Sequence, residues 1–344
     1  MSLAARITVA VISTVVAAAY LVSVDPPQPA TLVLVGDIML SRNVAARMKA
    51  AGDAELPFRG VAAVLQGSDL NFGNLESPLA DPAESAGENR TEWDGNIGGK
   101  SLTFGAPHAS VAALRRFNFR ILGVANNHAM DQGEGGLIHT LARLRANQIQ
   151  VTGAGANLQE AWQGRVIEVK GFRMGFLAAS YASTNYESNE PNEYIARIED
   201  LERLRSSLRT LKSQATYIVV AMHAGEEYKS EPSAAQVAFA HAAIDSGANL
   251  VVGSHPHWLQ PVERYRQGLI FYSLGNFIFD QDSTPATREG AAVKLFLRAG
   301  QVVQAEVIPV EIEDSCCPRA ARPDELPGAL RRMGLTSARI RGLP

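Results

Sequence analysis

Thr31-Leu32-Val33-Leu34-Val35-Gly36-Asp37-Ile38-Met39 is an apolar run, rich in β-branched residues, that breaks at a glycine and a carboxylate. A run of this length and composition reads as a buried strand, with Asp37 at its carboxyl end. The same pattern recurs down the chain. Residues 68–72 lead into Gly73-Asn74-Leu75-Glu76, and residues 121–125 into Asn126-Asn127-His128 with Asp131 beyond. Residues 217–222 end in His223, followed by Glu226 and Glu227; residues 250–253 end in Ser254-His255-Pro256-His257; residues 269–274 end in Gly275-Asn276-Phe277. Amphipathic stretches at 136–146, 195–212 and 233–246 lie between these runs. Strands alternating with helices define an α/β fold built of βαβ units, largely parallel. A weaker strand pair is expected at 164–179 with its turn at Gly171, and further strands at 291–297 and 302–310.

In an open parallel sheet, ligands collect beyond the carboxyl ends of the strands. Six such ends carrying carboxylates, amides and imidazoles therefore predict one shared site. Imidazole mixed with carboxylate and amide oxygen suits Mn, Zn or Fe, whereas a calcium cage takes oxygen alone. The available ligands are Asp37, Glu76, Asn127, His223, His255 and His257. They are enough for two divalent ions a few ångströms apart, which supply an activated water and clamp the oxygens of an in-line displacement at phosphorus. His128 is placed to protonate a leaving oxygen, and Arg42 to orient an anionic substrate. Asp131 and Asp280 are either partners that orient imidazoles or plain turn residues. Tyr228, Trp258 and Phe277 read as apolar walls of the site. His108, His139 and His241 read as surface or packing residues, and Glu226 and Glu227 as solvated loop charges.

Composition bounds the rest. The chain has 344 residues and a formal net charge of -3, which is ordinary for one large α/β domain or two smaller ones. Near-neutral charge gives no electrostatic reason to expect nucleic acid as a partner. Cys316 and Cys317 are adjacent, so they form neither a spaced zinc ribbon nor a disulfide framework. They are either a vicinal disulfide or unpaired thiols. After Arg6, residues 7–24 are uncharged and apolar, close to the ~20 residues of a membrane-spanning helix. Pro26, Pro27 and Pro29 separate this run from the body. It reads as a retained anchor, with a signal peptide cleaved near Ala17-Ala18-Ala19 as the alternative. Either one exports the body; as a retained anchor it gives a single-pass membrane protein with its domain outside the cytoplasm. The expected division is an anchor and Pro-rich linker at 1–30, the α/β domain at 31–312, and an Arg- and Pro-rich tail at 313–344, loosely packed. Residues 81–100, rich in Gly, Asn, Asp and Glu, read as a surface insertion near the site.

Taken in order, these segments resemble a known family. Val35-Gly36-Asp37-Ile38-Met39-Leu40-Ser41-Arg42, Asn74-Leu75-Glu76-Ser77-Pro78, Ala125-Asn126-Asn127-His128-Ala129-Met130-Asp131, Gly253-Ser254-His255-Pro256-His257-Trp258 and Tyr272-Ser273-Leu274-Gly275-Asn276-Phe277 are similar to the motifs of the bacterial capsule-synthesis proteins known as CapA or PgsA. The likeness spans about residues 31–282. The family is associated with making or exporting poly-γ-glutamate and looks like a branch of the calcineurin-like metallophosphoesterases. The resemblance implies a four-layer α/β/β/α sandwich with a dinuclear metal centre. It matches Asp37 to the first metal-binding aspartate and Glu76 to a bridging carboxylate. Asn127 and His128 match an Asn-His pair, His223 an isolated histidine, and His255 and His257 a Gly-x-His-x-His element. Where the wider superfamily has Asp-x-His this chain has Asp37-Ile38-Met39, and a thioether is a poor ligand for a hard cation. Where the superfamily has Gly-Asp, the chain has Gly73-Asn74.

Three functions follow from the resemblance. One is a metal-dependent hydrolase of phosphoester type. Another is a non-catalytic, metal- or polymer-binding subunit working with other capsule-synthesis proteins. The third is an amidohydrolase acting on polyglutamate.

Overall fold

The computed structural model describes residues 29–79, 103–181, 193–298 and 301–341. Its strands run β1 (Ala30–Ile38), β2 (Leu70–Leu75), β3 (Ile121–Gly123), β4 (Gln150–Thr152), β5 (Arg165–Val169), β6 (Phe172–Ser180), β7 (Tyr217–His223), β8 (Leu250–Ser254), β9 (Val262–Tyr265), β10 (Gly268–Phe271), β11 (Asn276–Ile278), β12 (Glu289–Arg298), β13 (Gln301–Glu313), β14 (Cys317–Ala320) and β15 (Arg339–Arg341). The helices are α1 (Arg42–Ala51), α2 (Ala62–Gln66), α3 (Ser110–Arg116), α4 (Gly133–Ala146), α5 (Leu158–Ala161), α6 (Leu201–Gln214), α7 (Ala234–Asp245), α8 (Pro285–Arg288) and α9 (Leu326–Arg332).

Two mixed sheets result. One is ordered β14-β13-β12-β1-β2-β3-β4, with β11 added beside β1 and β15 beside β13. The other is ordered β5-β6-β7-β8-β10-β9. Side chains alternate across each strand, and the central strands β1, β2, β7 and β8 are buried on both faces. Leu32 and Leu34 point into a core shared with Phe176, Val219, Leu250 and Val252 of the second sheet. Val33 and Val35 point the other way, onto Val44, Leu65, Leu114 and Leu137 from the helices. The second sheet repeats the arrangement, with Ile218, Val220 and Val251 packed on Leu204, Leu208 and Phe239 of α6 and α7. Burial on both faces is why these strands read as continuous apolar runs and not as alternating ones. The layers are helix, sheet, sheet, helix.

The parallel pairs β1/β2, β3/β4, β6/β7, β7/β8 and β8/β10 point their carboxyl ends the same way. Antiparallel β12 and β13 then extend the first sheet beyond β1.

Two expectations change. The helix expected over 195–212 begins at Leu201; Ile195 and Arg197 instead bridge to Ala154 and Ser180. Asp200 caps that helix, its carboxylate accepting from the Arg203 backbone N–H. The segment expected to be a loose tail is packed: β14 and β15 both pair with β13. Ala329, Leu330 and Met333 are buried against the inter-sheet core. Arg319 holds it further, pairing with Glu313 and Glu325. Arg322 joins the same two carboxylates, and Arg332 pairs with Glu289 of β12. Cys316 and Cys317 form a vicinal disulfide. The N-terminal run expected as anchor or signal and the insertion at 81–100 lie outside the described residues. Among those residues no helix is long and apolar enough to cross a membrane.

Candidate metal centre

The strand ends meet. Asp37 and Glu76 come from the first sheet and His223 from the second. Each of the three offers a ligand atom within 4.8 Å of the others, and all three are buried. This is the one such group of three among the described residues. Asp37 sits where β1 leaves β12 and takes β11 as its neighbour, opposite Asn276. The crossing is tight: a Cβ on Gly36 would lie 1.9 Å from the carbonyl oxygen of Gly275. Only glycine admits it.

Hydrogen bonds orient each group. Asp37 Oδ2 accepts from the His255 backbone N–H at 3.0 Å, and Asp37 Oδ1 accepts from Asn74 Nδ2 at 2.7 Å. His223 gives its Nε2 proton to Asn127 Oδ1 at 2.7 Å, so its Nδ1 lone pair faces Asp37 Oδ1, 3.5 Å away. His257 Nδ1 donates to Asn276 Oδ1 at 2.9 Å, leaving Nε2 turned toward Glu227, 4.0 Å away. Pinning one ring nitrogen so that the other is free to ligate is the usual arrangement around a metal-binding histidine. The backbone is strained at the same place: His255, His257, Tyr228 and Arg42 all have positive φ, 95° at His255. Such conformations cost about 1–3 kcal/mol each and cluster at functional sites.

Electrostatics agree with a cation site. Burial pushes the Glu76 carboxyl well above its ordinary pKa, and the charge of Asp37 adds to the rise. Burial raises Asp37 too, but the neighbouring His223 and His257 hold it below the usual carboxylate range. Burial pushes His255 down, helped by His223 and His257, and burial lowers His257 as well. An anionic Asp37 and neutral imidazoles are the ligand forms a divalent ion takes, and a bound cation would draw Glu76 to its carboxylate form. The donor set also has atoms to spare, because Glu76 Oε1 and His255 Nδ1 are buried with no hydrogen-bond partner. Orphaned buried acceptors of this kind are costly unless something binds them.

His128 lies beside this group. Its Nδ1 donates to Asp131 Oδ2 at 2.7 Å, which also accepts from the Phe104 N–H. Its Nε2 is 4.0 Å from Glu76 Oε1, and the Phe104 ring stacks on the imidazole at 3.8 Å. Asp131 is therefore an orienting partner, not a plain turn residue. Arg42 pairs through Nη2 with Asp280 and lies over the Phe104 and Phe279 rings, at 4.6 and 5.7 Å. The pairing braces the start of α1 and engages part of the guanidinium expected to meet a substrate anion.

Asn127 reaches the group through His223, not beside the carboxylates. Met39 is buried with its sulfur accepting from the Ser41 N–H, turned toward backbone. Phe277 is fully buried in the core, so the expected wall consists of Tyr228 and Trp258, whose rings are 6.4 Å apart. His241 pairs with Glu263 at the surface, and His108 stacks on His139. Sequence reasoning missed Asn74, Asn126 and Asn276 as members of the site. Strand parity was the available signal for Asn74, which sits two residues before Glu76 and therefore on the same face.

The layers and topology define an α/β fold of metallophosphoesterase type. The calcineurin-like phosphoesterase YfkN from Bacillus subtilis has the same fold, with a TM-score of 0.52 at 12% identity over 89% of this chain and 97% of that one. The family model for the bacterial capsule synthesis protein PGA_cap matches residues 31–281. The capsule biosynthesis protein CapA of Bacillus anthracis is 34% identical over 288 residues, 83% of this chain and 68% of that protein. The PGA biosynthesis protein CapA of Bacillus subtilis (strain 168) is 34% identical over 296 residues, 85% of this chain and 74% of that protein. The chain belongs to the PGA_cap family of bacterial capsule synthesis proteins.

Proposed function

We propose that this protein is an extracytoplasmic, membrane-anchored hydrolase of capsule or poly-γ-glutamate synthesis or export, metal-dependent and of phosphoester type. The observation that carries the reading is the buried Asp37–Glu76–His223 group with His128 beside it, held by Asp131. Asp37, Glu76 and His223 would hold one divalent cation (Mn, Zn or Fe), and His255 and His257 would serve a second. Bound there, the ions supply Lewis acidity and a water nucleophile at neutral pH. The chain's own residues do the rest. Asp131 accepts from His128 Nδ1–H and so turns Nε2 toward the reacting centre; when the ring carries protons on both nitrogens, Nε2 would hand its own to the leaving oxygen, with Asp131 facing the positive ring. Asn127 and Asn276 aim the imidazoles of His223 and His257. Residues 7–24 as anchor and the Cys316–Cys317 disulfide, typical of an oxidising compartment, support the location.

A second reading is also supported. Arg42 is paired to Asp280, and the loop that follows β7 carries Glu226, Glu227 and Glu231 against one Lys229, so this side of the site offers an anionic polymer little attraction. That favours a metal-binding subunit partnered by other capsule-synthesis proteins. Metal analysis of the purified full-length chain, with turnover of a generic phosphodiester and of polyglutamate, separates the readings. The hydrolase reading expects bound transition metal and phosphodiester cleavage abolished in His255→Ala. Metal without turnover on either substrate favours the subunit, and cleavage of polyglutamate alone favours an amidohydrolase.

A further inference from the structure

Asn74 Nδ2 lies 2.7 Å from Asp37 Oδ1, 3.1 Å from His223 Nδ1 and 3.5 Å from Glu76 Oε2. Those are the three residues of the candidate cation group, and the amide nitrogen sits where their ligand atoms converge. The identity of that atom is fixed from the backbone outward. The His128 backbone N–H can only donate, so the Asn126 atom it meets is Oδ1, at 3.1 Å. The other Asn126 atom must then be Nδ2, which agrees with its 2.8 Å contact to the Leu75 carbonyl. Asn126 Nδ2 also meets Asn74 at 3.1 Å, and a donor requires an acceptor, so that Asn74 atom is Oδ1. The Asn74 NH2 therefore faces the carboxylates, and the assignment rests on partners and not on a choice of rotamer.

An NH2 group carries two hydrogens and partial positive charge. It donates to Asp37 Oδ1 and shares its hydrogens between the more distant Glu76 Oε2 and His223 Nδ1, the latter also meeting the Ser254 hydroxyl at 3.0 Å, and it does so where a cation would. It cannot stay there beside one. Turning the amide over to present its oxygen would set NH2 against the Asn126 NH2, donor against donor. We propose that the Asn74 side chain is a displaceable placeholder for the cation: it holds Asp37, Glu76 and His223 together in the metal-free protein and must swing away for the ion to enter. The proposal rests on the metal reading above and adds a positioning residue that competes with the metal.

The test titrates Mn2+ by calorimetry into the EDTA-stripped full chain, as wild type, Asn74→Ala and Asn74→Asp, with thermal melts of the stripped proteins. Asn74→Ala should melt several degrees lower without metal yet bind Mn2+ about tenfold tighter, the size of one carboxylate hydrogen bond removed from the competition. Asn74→Asp should lower the metal-free melt further and bind tighter still. Weaker binding by Asn74→Ala, about 10–100-fold as for loss of an ordinary supporting partner, overturns the proposal and leaves the metal reading standing. Unchanged binding also overturns it. If Asn74→Ala does not fold, the Asn74 side-chain amide resonance of the wild type decides: it should shift on loading with diamagnetic Zn2+, and a fixed resonance refutes displacement. A wild type that binds none of Mn2+, Zn2+ and Fe2+ sinks the metal reading and the proposal together.

Discussion

Glu76→Gln should make the metal-free protein more stable and the metal-loaded protein less so. Ligand atoms of Glu76 and Asp37 lie within 4.8 Å. Two like charges at that distance repel by about 3.5 kcal/mol at an effective dielectric of 20. His223 and the Asn74 amide offset part of this, so removing one charge should return about 1–3 kcal/mol at pH 8. Glu76 is raised above its ordinary carboxyl pKa by burial and by Asp37. Its contribution is therefore favourable below pH 4.5, where both folded and unfolded chains are protonated, and is lost as pH climbs through the raised value. The gain in Glu76→Gln should thus be present at pH 8 and close toward pH 4.5. For a domain of this size each kcal/mol moves the melting temperature by about 2–4 °C. In EDTA at pH 8 the variant should melt several degrees above wild type. With Mn2+ at a hundred times its Kd the wild type gains about 2.7 kcal/mol, and the variant should lose most of that gain. A variant that melts below wild type in EDTA at pH 8 would refute the reasoning, because Glu76 would then be favourably paired without metal.

Asp131→Asn should lower kcat for phosphodiester cleavage about 10–100-fold, with metal content unchanged, because it removes the partner that fixes His128; loss of bound metal would contradict that assignment. Gly36→Ala drives a methyl to 1.9 Å from the Gly275 carbonyl oxygen and should cost about 3 kcal/mol or more in urea unfolding; a cost under about 1 kcal/mol would show that β1 and β11 can separate. Glu325 is held down to about 2 by hydrogen bonds from Arg319 and the Arg322 N–H. Its stabilisation is present above pH 4.5 and disappears as pH falls toward 2. Glu325→Gln should therefore show weaker hydrogen-exchange protection of β14 at neutral pH and match wild type near pH 2; equal protection at both pH values would mean that the ion pairs do not hold the segment.

The strands that read correctly are those buried on both faces, such as β1, β7 and β8, because an uninterrupted apolar run is the direct imprint of two cores. The site read correctly where its chemistry is carried by imidazole and carboxylate, since those residues follow apolar runs conspicuously. What escaped is amide-based. Asn74, Asn126 and Asn276 look like turn formers in the sequence, and only the pairing of β1 with β2 and β11 turns them into hydrogen-bonded members of the site. The ion pair of Arg42 escaped for a similar reason. Its partner Asp280 lies far along the chain, and no local pattern marks the pair. The packed C-terminal segment was misread because β14 and β15 are short and charged and gain stability only from β13.

The first sheet is sewn from both ends of the described chain, with Ala30 on β1 paired to Leu297 on β12 and the whole second sheet lying between them in sequence. As the chain emerges during synthesis, β1 can dock on β2 early, but its other flank stays bare until nearly everything else has been made. A bare flank of an apolar strand recruits other strands. A copy cut short before β12 should therefore clump and not merely lack a tail, and the slowest step in assembly should be the arrival of that late strand.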